Sequence, residues 1–198
     1  TEIESMGKRS LALQIDVSDP QAVDQMVDRV TTEFGQVDIL VNNAGISMSI
    51  PLISTDNDSW HRMLDTNVSG PFYCCRAVAK QMINRQSGKI INISSIGGRK
   101  GAAGRSAYRA TKAALISFTE SLAAEVKKHG IDVNCICPGS VLTEGYVDAF
   151  GEDSKLNPNM MEPMEIAKLC TFLVSKEASS ITGAIIDAYG KSNPLFHR

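Results

Sequence analysis

The feature that most constrains the fold is an alternation of strand-like and helix-like segments along the whole chain. Short, largely apolar runs are followed by longer stretches in which apolar residues recur every three or four positions. This alternation favours a parallel sheet covered by helices, because each pair of parallel strands needs a long crossover connection. The 198 residues contain no repeat, linker or low-complexity tract, so we predict one α/β domain that spans residues 1–198.

Local patterns predict where the strands and helices lie. Five apolar runs are predicted to form strands, at residues 10–17, 37–42, 89–94, 131–137 and 183–189. Helical periodicity predicts four helices, at residues 20–34, within 56–85, at 106–129 and at 163–175. The glycine-rich stretch 97–104 is predicted to be a loop, and the irregular stretch 143–162 a mobile flap.

The composition excludes several functional classes. Twenty basic and 22 acidic side chains give a net charge of -2, which provides no positive field for nucleic acid. No apolar run approaches the roughly 18 residues that span a bilayer, and the polar opening is not a signal sequence. Five cysteines without a second Cys/His pair at ligand spacing predict reduced thiols and no metal site. We therefore expect a cytoplasmic protein with no nucleic-acid or membrane partner.

One pair of side chains has the spacing needed for proton transfer. Tyr108 and Lys112 lie four positions apart inside a predicted helix, so both face the same side within mutual reach. An ammonium group beside a phenol stabilises the phenolate, which brings proton transfer within reach at neutral pH. The same spacing also arises by chance, so the pair alone is weak evidence.

Polar motifs stand at the carboxyl ends of four predicted strands. They are Asp16-Val17, Asn42-Asn43-Ala44-Gly45, Ser94-Ser95 and the stretch 138–143, Pro-Gly-Ser-Val-Leu-Thr. In a parallel α/β sheet the carboxyl ends of the strands meet at one edge, where ligands bind. Together with Tyr-x-x-x-Lys, these motifs resemble those of the short-chain dehydrogenase/reductase family over nearly the whole chain. The resemblance implies a Rossmann-like, doubly wound parallel sheet.

The resemblance also implies catalytic roles for four residues. Tyr108 matches the general acid and base of the family, and Lys112 matches the group that favours its ionised form and holds the nicotinamide ribose. Ser95 matches the serine that hydrogen-bonds the substrate carbonyl. Asn67, in the run Asp-Thr-Asn-Val, matches the helix asparagine that holds a water on the proton path to the lysine.

The cofactor that the resemblance implies is NAD or NADP. Besides Tyr108 and Lys112, seven residues match family positions that contact it. They are Asp16 and Val17 at the adenine, Asn43, Ala44 and Gly45 beside the adenosine ribose, and Val141 and Thr143 at the nicotinamide carboxamide.

The chain departs from the family at its amino end. The family begins with a strand and a glycine-rich turn that opens a helix, and neither precedes residue 10. By comparison about 45 to 50 residues, with the first two strands, are missing. We therefore expect an isolated strand 10–17 and, beside the strand 37–42, a vacant slot or another segment. Either the chain is part of a longer enzyme, or the strands of a truncated form have rearranged.

The function implied by the resemblance is an NAD(P)-dependent oxidoreductase that interconverts a ketone and a secondary alcohol by hydride transfer. Expected substrates are small carbonyl or alcohol compounds or a carrier-bound acyl chain, with 3-oxoacyl-carrier-protein reductases and polyol or sugar dehydrogenases as the closest branches. The family implies a homodimer or homotetramer. We expect the 198 residues alone to bind no dinucleotide with useful affinity, since no glycine-rich turn supplies donors for the pyrophosphate. The alternative is a truncated, non-catalytic relative that serves as a dimerisation or binding module.

Overall fold

Four parallel strands form one sheet in this computed structural model, which describes residues 2–191 and all their side chains except those of 148–150 and 154. The strands are β1 (Ile39–Asn42), β2 (Gly88–Ile93), β3 (Ile131–Pro138) and β4 (Ile185–Ala188), which lie side by side in chain order. They occupy four of the five segments predicted as strands, with ends shifted by a few residues. The predicted Rossmann-like parallel sheet is therefore confirmed.

Helices connect the strands and cover both faces of the sheet. They are α1 (Glu2–Ser5), α2 (Pro20–Phe34), α3 (Asn57–Leu64), α4 (Gly70–Arg85), α5 (Ser106–Val126), α6 (Glu144–Phe150) and α7 (Pro163–Val174). Successive strand residues point to opposite faces. Ile90 and Val133 accordingly pack in one core with α2, α4 and α5, whereas Ile91 and Ile136 pack with α7. Across residues 2–191 no helix is long and apolar enough to cross a membrane.

The helical stretch predicted within 56–85 consists of three pieces. Asp56 caps α3 by accepting a hydrogen bond from the backbone N–H of Ser59 at 2.6 Å. A widened π-helical turn, Asp65–Ser69, then separates α3 from α4. Single π turns often occur at functional sites, and this one leaves the side chain of Asn67 fully buried.

Two predictions about individual segments were wrong. Residues 10–17 do not form a strand, because no described strand lies beside them to accept and donate the ladder hydrogen bonds. The stretch 143–162 is not irregular throughout, since it contains α6 and the 3-10 helix Glu152–Leu156. The hydroxyl of Thr143 caps α6 by accepting a hydrogen bond from the backbone N–H of Tyr146 at 3.1 Å.

The outer edge of β1 is vacant among the described residues. β1 pairs with β2 along one side only, and no segment within residues 2–191 pairs along the other. Ile39 is 45% exposed and Val41 is 43% exposed, although apolar strand residues normally lie inside a sheet protein. The vacant slot expected beside the strand 37–42 is therefore present in the part of the chain that the structure describes.

A buried chain of polar side chains ties the sheet to α5. The amide of Asn42 donates to the side-chain oxygen of Asn92 at 2.8 Å, and the amide of Asn92 donates to the hydroxyl of Thr119 at 2.9 Å. The hydroxyl of Thr119 donates in turn to the backbone oxygen of Leu115 at 2.8 Å. Asn92 and Thr119 are fully buried, so each of these groups depends on the others for its hydrogen bonds.

We predict that Thr119→Val lowers the free energy of unfolding by about 1 to 3 kcal/mol, because the buried amide of Asn92 loses its acceptor. Urea denaturation measures the change. Thr171→Val is the matched control, since Thr171 also donates to a carbonyl oxygen four residues earlier, at 2.9 Å, but is exposed. Its effect is expected to stay within about 0.5 kcal/mol. Equal losses of unfolding free energy in the two variants would contradict a stabilising contribution from the buried hydrogen bonds.

Candidate active site

A pocket of about 570 Å³ opens at the carboxyl ends of the strands, where a parallel α/β sheet binds its ligands. The loops after β1, β2 and β3 and the first turns of α5 line it. Seven of the residues singled out in the sequence share this one pocket, namely Asn43, Gly45, Ser95, Tyr108, Lys112, Val141 and Thr143. The tertiary structure therefore brings together residues that lie up to 100 positions apart in the chain (143 − 43 = 100).

Tyr108 and Lys112 lie one turn apart on α5, as their spacing predicts. The ammonium nitrogen Nζ of Lys112 is 5.9 Å from the centroid of the Tyr108 ring, and it donates a hydrogen bond to the backbone oxygen of Ile93 at 3.0 Å. Tyr108 is half-buried, so its phenol can meet a ligand in the pocket. The pair thus places a proton donor at the pocket surface with a positive charge behind it.

The environment of Lys112 disfavours its charge. The side chain is only 6% exposed, and burial lowers the pKa of Lys112 to about 8. Lys112 therefore loses its proton at a lower pH than an ordinary lysine, whose pKa is about 10.4. An anionic or hydroxyl-bearing ligand beside Lys112 would restore the charged form, since it would replace the lost contact with water.

The two serines that follow β2 have different partners. The hydroxyl of Ser94 is buried and donates to the backbone oxygen of Lys112 at 2.7 Å, which fixes α5 to the end of the strand. The hydroxyl of Ser95 accepts a hydrogen bond from the backbone N–H of Gly97 at 2.9 Å. Because this contact uses an oxygen lone pair, the Ser95 hydrogen stays available to a ligand oxygen in the pocket.

Asn67 does not line the pocket but holds two of its walls together. Its side-chain oxygen accepts from the backbone N–H of Ile46 at 2.8 Å, and its amide donates to the backbone oxygen of Ile46 at 2.9 Å. The amide also donates to the hydroxyl of Thr111 at 3.0 Å, next to Lys112 on α5. Asn67 therefore connects the loop after β1 to the helix that holds the Tyr-Lys pair.

The loop after β1 comes close to Lys112 at Gly45. A Cβ atom built on Gly45 would lie 3.4 Å from Nζ of Lys112 and 3.1 Å from the side-chain oxygen of Asn67. Any larger residue at position 45 would therefore press on the side chain of Asn67 and contact the ammonium group. The 570 Å³ pocket that contains Lys112 has room for the nicotinamide end of NAD or NADP, which is the end that the family resemblance assigns to Lys112.

The predicted adenine contacts line a separate pocket of about 470 Å³, and Gly45 belongs to both pockets. Asp16, Val17 and Ala44 line this second pocket with Arg62. The carboxylate of Asp16 accepts hydrogen bonds from the backbone N–H and the hydroxyl of Ser18, and these bonds lower the pKa of Asp16. The acid at this position is thus held in its ionised form.

A third pocket, of about 830 Å³, adjoins the first and shares Ser95, Tyr108 and Thr143 with it. Three of its lining residues were missed by the sequence analysis, namely Arg105, Arg109 and Tyr146. The two arginines stand at -3 and +1 from Tyr108 and are four positions apart, which places them on one side of a helix. That spacing beside the tyrosine is the signal that could have identified them.

The described residues contain no cluster of metal-ligating side chains. Within residues 2–191 no group of three or more His, Cys, Asp or Glu side chains is placed to hold a metal ion. Asn42, the first residue of the Asn-Asn-Ala-Gly motif, is buried and its amide hydrogen-bonds to Asn92 and to the sulfur of Cys75. Its contacts are those of a sheet residue, whereas Asn43 lines the 570 Å³ pocket.

Comparisons with known proteins agree with this arrangement. The family model described as short chain dehydrogenase matches residues 1–152. The chain is 38% identical to the 3-oxoacyl-acyl-carrier-protein reductase FabG of Salmonella typhimurium over 192 residues, which cover 93% of this chain and 78% of that protein. It is 37% identical to FabG of Staphylococcus aureus over 196 residues, which cover 96% of this chain and 79% of that protein. The chain therefore belongs to the short-chain dehydrogenase family.

Solved structures match the fold as well. ElxO with NADP bound, and a tyrosine-to-phenylalanine variant of ElxO with NADPH bound, each have a TM-score of 0.82 and 34% identity to this chain. Each match covers 90% of this chain and 76% of the other. The family predicted from the motifs, and its likeness to the FabG reductases, are thus confirmed.

We predict that, without cofactor, Lys112→Met raises the free energy of unfolding at pH 7 by about 1 to 3 kcal/mol, since the variant buries no ammonium group. Because the pKa of Lys112 is about 8 in the folded protein, below that of an unfolded lysine, the unfolded chain binds more protons between pH 8 and about 10.5. The stability of the wild type therefore rises with pH across that window, and the advantage of the variant shrinks.

Urea denaturation at pH 7 and pH 10 measures both effects. Lys80→Met is the control, because Lys80 is an exposed lysine on α4 and its replacement removes the same charge from water rather than from the interior. If Lys112→Met gave the same difference from the wild type at both pH values, burial of the ammonium group would not be the cause.

Proposed function

We propose that this chain forms the greater part of an NAD(P)-dependent oxidoreductase that interconverts a ketone and a secondary alcohol. The observation on which the proposal depends is the meeting of Ser95, Tyr108 and Lys112 at one pocket at the carboxyl edge of the sheet. Membership of the short-chain dehydrogenase family supports it, as does the likeness to reductases over 93% of the chain. The matched proteins are named as reductases, so the alternative of a non-catalytic binding module has no support from them.

In this proposal Tyr108 moves the proton. For reduction, the phenol donates its proton to the oxygen of the substrate carbonyl, and for oxidation it removes the proton of the alcohol. Ser95 donates a second hydrogen bond to the same oxygen, because its hydroxyl accepts from Gly97 and its hydrogen has no acceptor among the described residues. Two donors on one carbonyl oxygen withdraw electrons from the carbonyl carbon and prepare it for reduction. When bound, NAD or NADP supplies or accepts the hydride.

Lys112 assists the tyrosine through its charge. The ammonium group lies 5.9 Å from the phenol ring and is anchored to the backbone oxygen of Ile93, so its position does not depend on solvent. A positive charge at this distance favours the phenolate that forms when Tyr108 gives up its proton. Because Lys112 lines the same pocket as Ser95 and Tyr108, we propose that it holds the nicotinamide ribose as well.

The remaining residues proposed to contact the cofactor line the 570 Å³ and 470 Å³ pockets. We propose that Asn43, Ala44 and Gly45 lie beside the adenosine ribose, with Asp16 and Val17 at the adenine. Val141 and Thr143 would hold the nicotinamide carboxamide. Asn67 acts as a positioning residue, since its hydrogen bonds to Ile46 and Thr111 fix the loop after β1 against α5. The matched ElxO structures contain NADP or NADPH, which supports a dinucleotide in this position.

We predict that Tyr108→Phe lowers kcat at least about 100-fold in the full-length protein that contains this chain, because only the phenolic oxygen that transfers the proton is lost. The measurement is steady-state ketone reduction with NADH and with NADPH. Cofactor affinity, measured by quenching or enhancement of nicotinamide fluorescence, is expected to change little.

Tyr73→Phe serves as the control, since Tyr73 lies on α4 and packs against Phe72 rather than in the pocket. It is expected to keep the kcat of the wild type. A Tyr108→Phe variant that retained more than about a tenth of the wild-type kcat would exclude Tyr108 as the general acid and base.

We also propose that the subunits associate through α4 and α5. Phe72 on α4 is 42% exposed, and its ring contacts the ring of Phe118 on α5 at a centroid distance of 6.3 Å. Arg76 lies over Phe72 at 5.3 Å, and Leu122 is only partly buried nearby on α5. Exposed aromatic side chains with an arginine are typical of subunit interfaces. A homodimer or homotetramer would cover this surface.

We predict that Phe72→Glu shifts the full-length protein toward the monomer in sedimentation velocity at micromolar concentration, because a charge would be buried at the interface. Phe34→Glu is the control, since Phe34 is 37% exposed on α2, which does not belong to this surface. It should leave the oligomeric state unchanged. A wild type that sediments only as a monomer would contradict the proposed assembly.

Two further features belong to the same proposal. The vacant edge of β1, with its exposed Ile39 and Val41, would accept further strands in a complete short-chain dehydrogenase domain. The relatives support this, since the matches cover 78% and 79% of their length. The absence of dinucleotide binding by the 198 residues alone stays a prediction.

All five cysteines are free thiols, which fits a reducing compartment such as the cytoplasm.

A further inference from the structure

The 830 Å³ pocket beside Ser95 and Tyr108 has an unbalanced charge. Two arginines line it, Arg105 at the start of α5 and Arg109 one turn further on. The other described residues that line it are small, apolar or hydroxyl-bearing, and none of them is acidic. The pocket is therefore positively charged, next to the residues that would carry out the reaction.

Two of the three guanidinium nitrogens of Arg109 lack a hydrogen-bond partner among the described residues. Its Nε and Nη1 atoms are buried from solvent, and nothing within residues 2–191 accepts a hydrogen bond from them. A buried donor without an acceptor costs free energy, and the cost is larger for a charged group. Burial is also the main reason that the pKa of Arg109 is lowered, with the charge of Arg105 as the second. An anion in the pocket would offset both the burial of the Arg109 charge and its repulsion by Arg105.

Arg105 provides a second, fixed charge. Its Nη2 atom donates a hydrogen bond to the hydroxyl of Ser47 at 2.7 Å. Its Cζ atom lies 4.7 Å from the centroid of the Tyr108 ring, so the guanidinium stacks on the phenol. Arg105 is thus held between the loop after β1 and the catalytic tyrosine, on the same side of α5 as Arg109.

Arg109 also lies close to the groups that would bind the carbonyl. A Cβ atom built on Gly97 would be 3.3 Å from Cγ of Arg109, 3.3 Å from the hydroxyl oxygen of Ser95 and 3.1 Å from Cε1 of Tyr108. The three side chains therefore converge around one glycine, and any other residue at position 97 would press against them. The side chain of Arg109 therefore leaves α5 beside Ser95 and Tyr108, the residues that we propose bind the carbonyl.

We propose that Arg109, with Arg105 beside it, binds a carboxylate or phosphate group of the substrate, so that the substrates are small anionic ketones and the corresponding hydroxy compounds. The proposal rests on the oxidoreductase function above and narrows its substrate class. The guanidinium group is planar and offers paired donors that match either anion. The reaction itself is unchanged: the carbonyl carbon gains a hydride from NAD(P)H, the oxygen gains the proton of Tyr108, and the anionic group takes no part.

The shape of the site favours a small anion over the acidic surface of a carrier protein. Arg105 and Arg109 line a cavity of about 830 Å³, which is the size of a small-molecule site rather than of a protein-docking surface. A carboxylate or phosphate on a small molecule fits within the pocket, where the charges of Arg105 and Arg109 would attract it.

The test compares matched pairs of ketones in the full-length protein. Acetoacetate is compared with its neutral ethyl ester, and dihydroxyacetone phosphate with dihydroxyacetone, by kcat/KM with NADH and NADPH. The wild type is expected to prefer an anionic member. In Arg109→Gln the ratio of kcat/KM for that anion over its neutral partner should fall by about 30-fold, the scale of hydrogen bonds to a charged group. Arg109→Lys should restore part of the ratio.

Arg29→Gln is the matched control, because Arg29 is an exposed arginine on α2. The ratio of kcat/KM for the anion over its neutral partner should be the same in this variant as in the wild type. A preference for acetoacetate assigns the site to carboxylates, and one for the phosphate ester assigns it to phosphates. Equal ratios in the wild type and Arg109→Gln would overturn the proposal. A loss in Arg109→Gln confined to a carrier-bound 3-oxoacyl substrate would also overturn it, in favour of carrier docking.

A binding measurement separates failure of this proposal from failure of the proposed function. Malonate and inorganic phosphate cannot be reduced, and isothermal titration detects either without turnover. One of them should bind the wild type and bind Arg109→Gln at least about tenfold more weakly. If neither binds the wild type while neutral ketones are reduced, the anion site is wrong and the oxidoreductase function stands. If an anion binds as expected but no ketone is reduced and no alcohol oxidised, the oxidoreductase function is wrong, and the anion site stands as a binding site only.

Discussion

The contact between α5 and the carboxyl end of β2 is the interaction on which the rest of the site depends. The hydroxyl of Ser94 donates to the backbone oxygen of Lys112 at 2.7 Å, and Nζ of Lys112 donates to the backbone oxygen of Ile93 at 3.0 Å. A Cβ atom built on Gly98 would lie 2.7 Å from that same oxygen of Lys112, so only glycine permits this approach. If the contact opened, Tyr108 and Lys112 would both move away from Ser95.

This arrangement places function and stability in opposition. Lys112 is buried, where its charge is unfavourable, and a neutral apolar residue would pack there at lower cost. The buried hydrogen bonds from Asn42 through Asn92 to Thr119 stabilise the fold, because they satisfy polar groups between the sheet and α5. Enzymes commonly tolerate an unfavourable group at the site when the surrounding scaffold is stable enough to hold it.

Two adjoining pockets share Ser95 and Tyr108. The 570 Å³ pocket contains Lys112, and we propose that the nicotinamide end of a dinucleotide binds there. The 830 Å³ pocket contains Arg105 and Arg109, and we propose that the substrate binds there. Because α5 provides residues to both pockets, in this proposal its position decides where the cofactor and the substrate approach each other.

The sequence by itself determined the parts that depend on local patterns. Apolar runs located β1 to β4, the spacing of Tyr108 and Lys112 put both on one face of a helix, and the strand-end motifs identified the family. Only the tertiary structure decided that residues 10–17 form no strand, because a strand requires a neighbour that local sequence cannot reveal. It also decided that Asn67 faces inward from a π turn and that two nitrogens of Arg109 are buried without an acceptor among the described residues. Burial and hydrogen-bond partners arise from contacts between distant segments, and they appear only when the chain has folded.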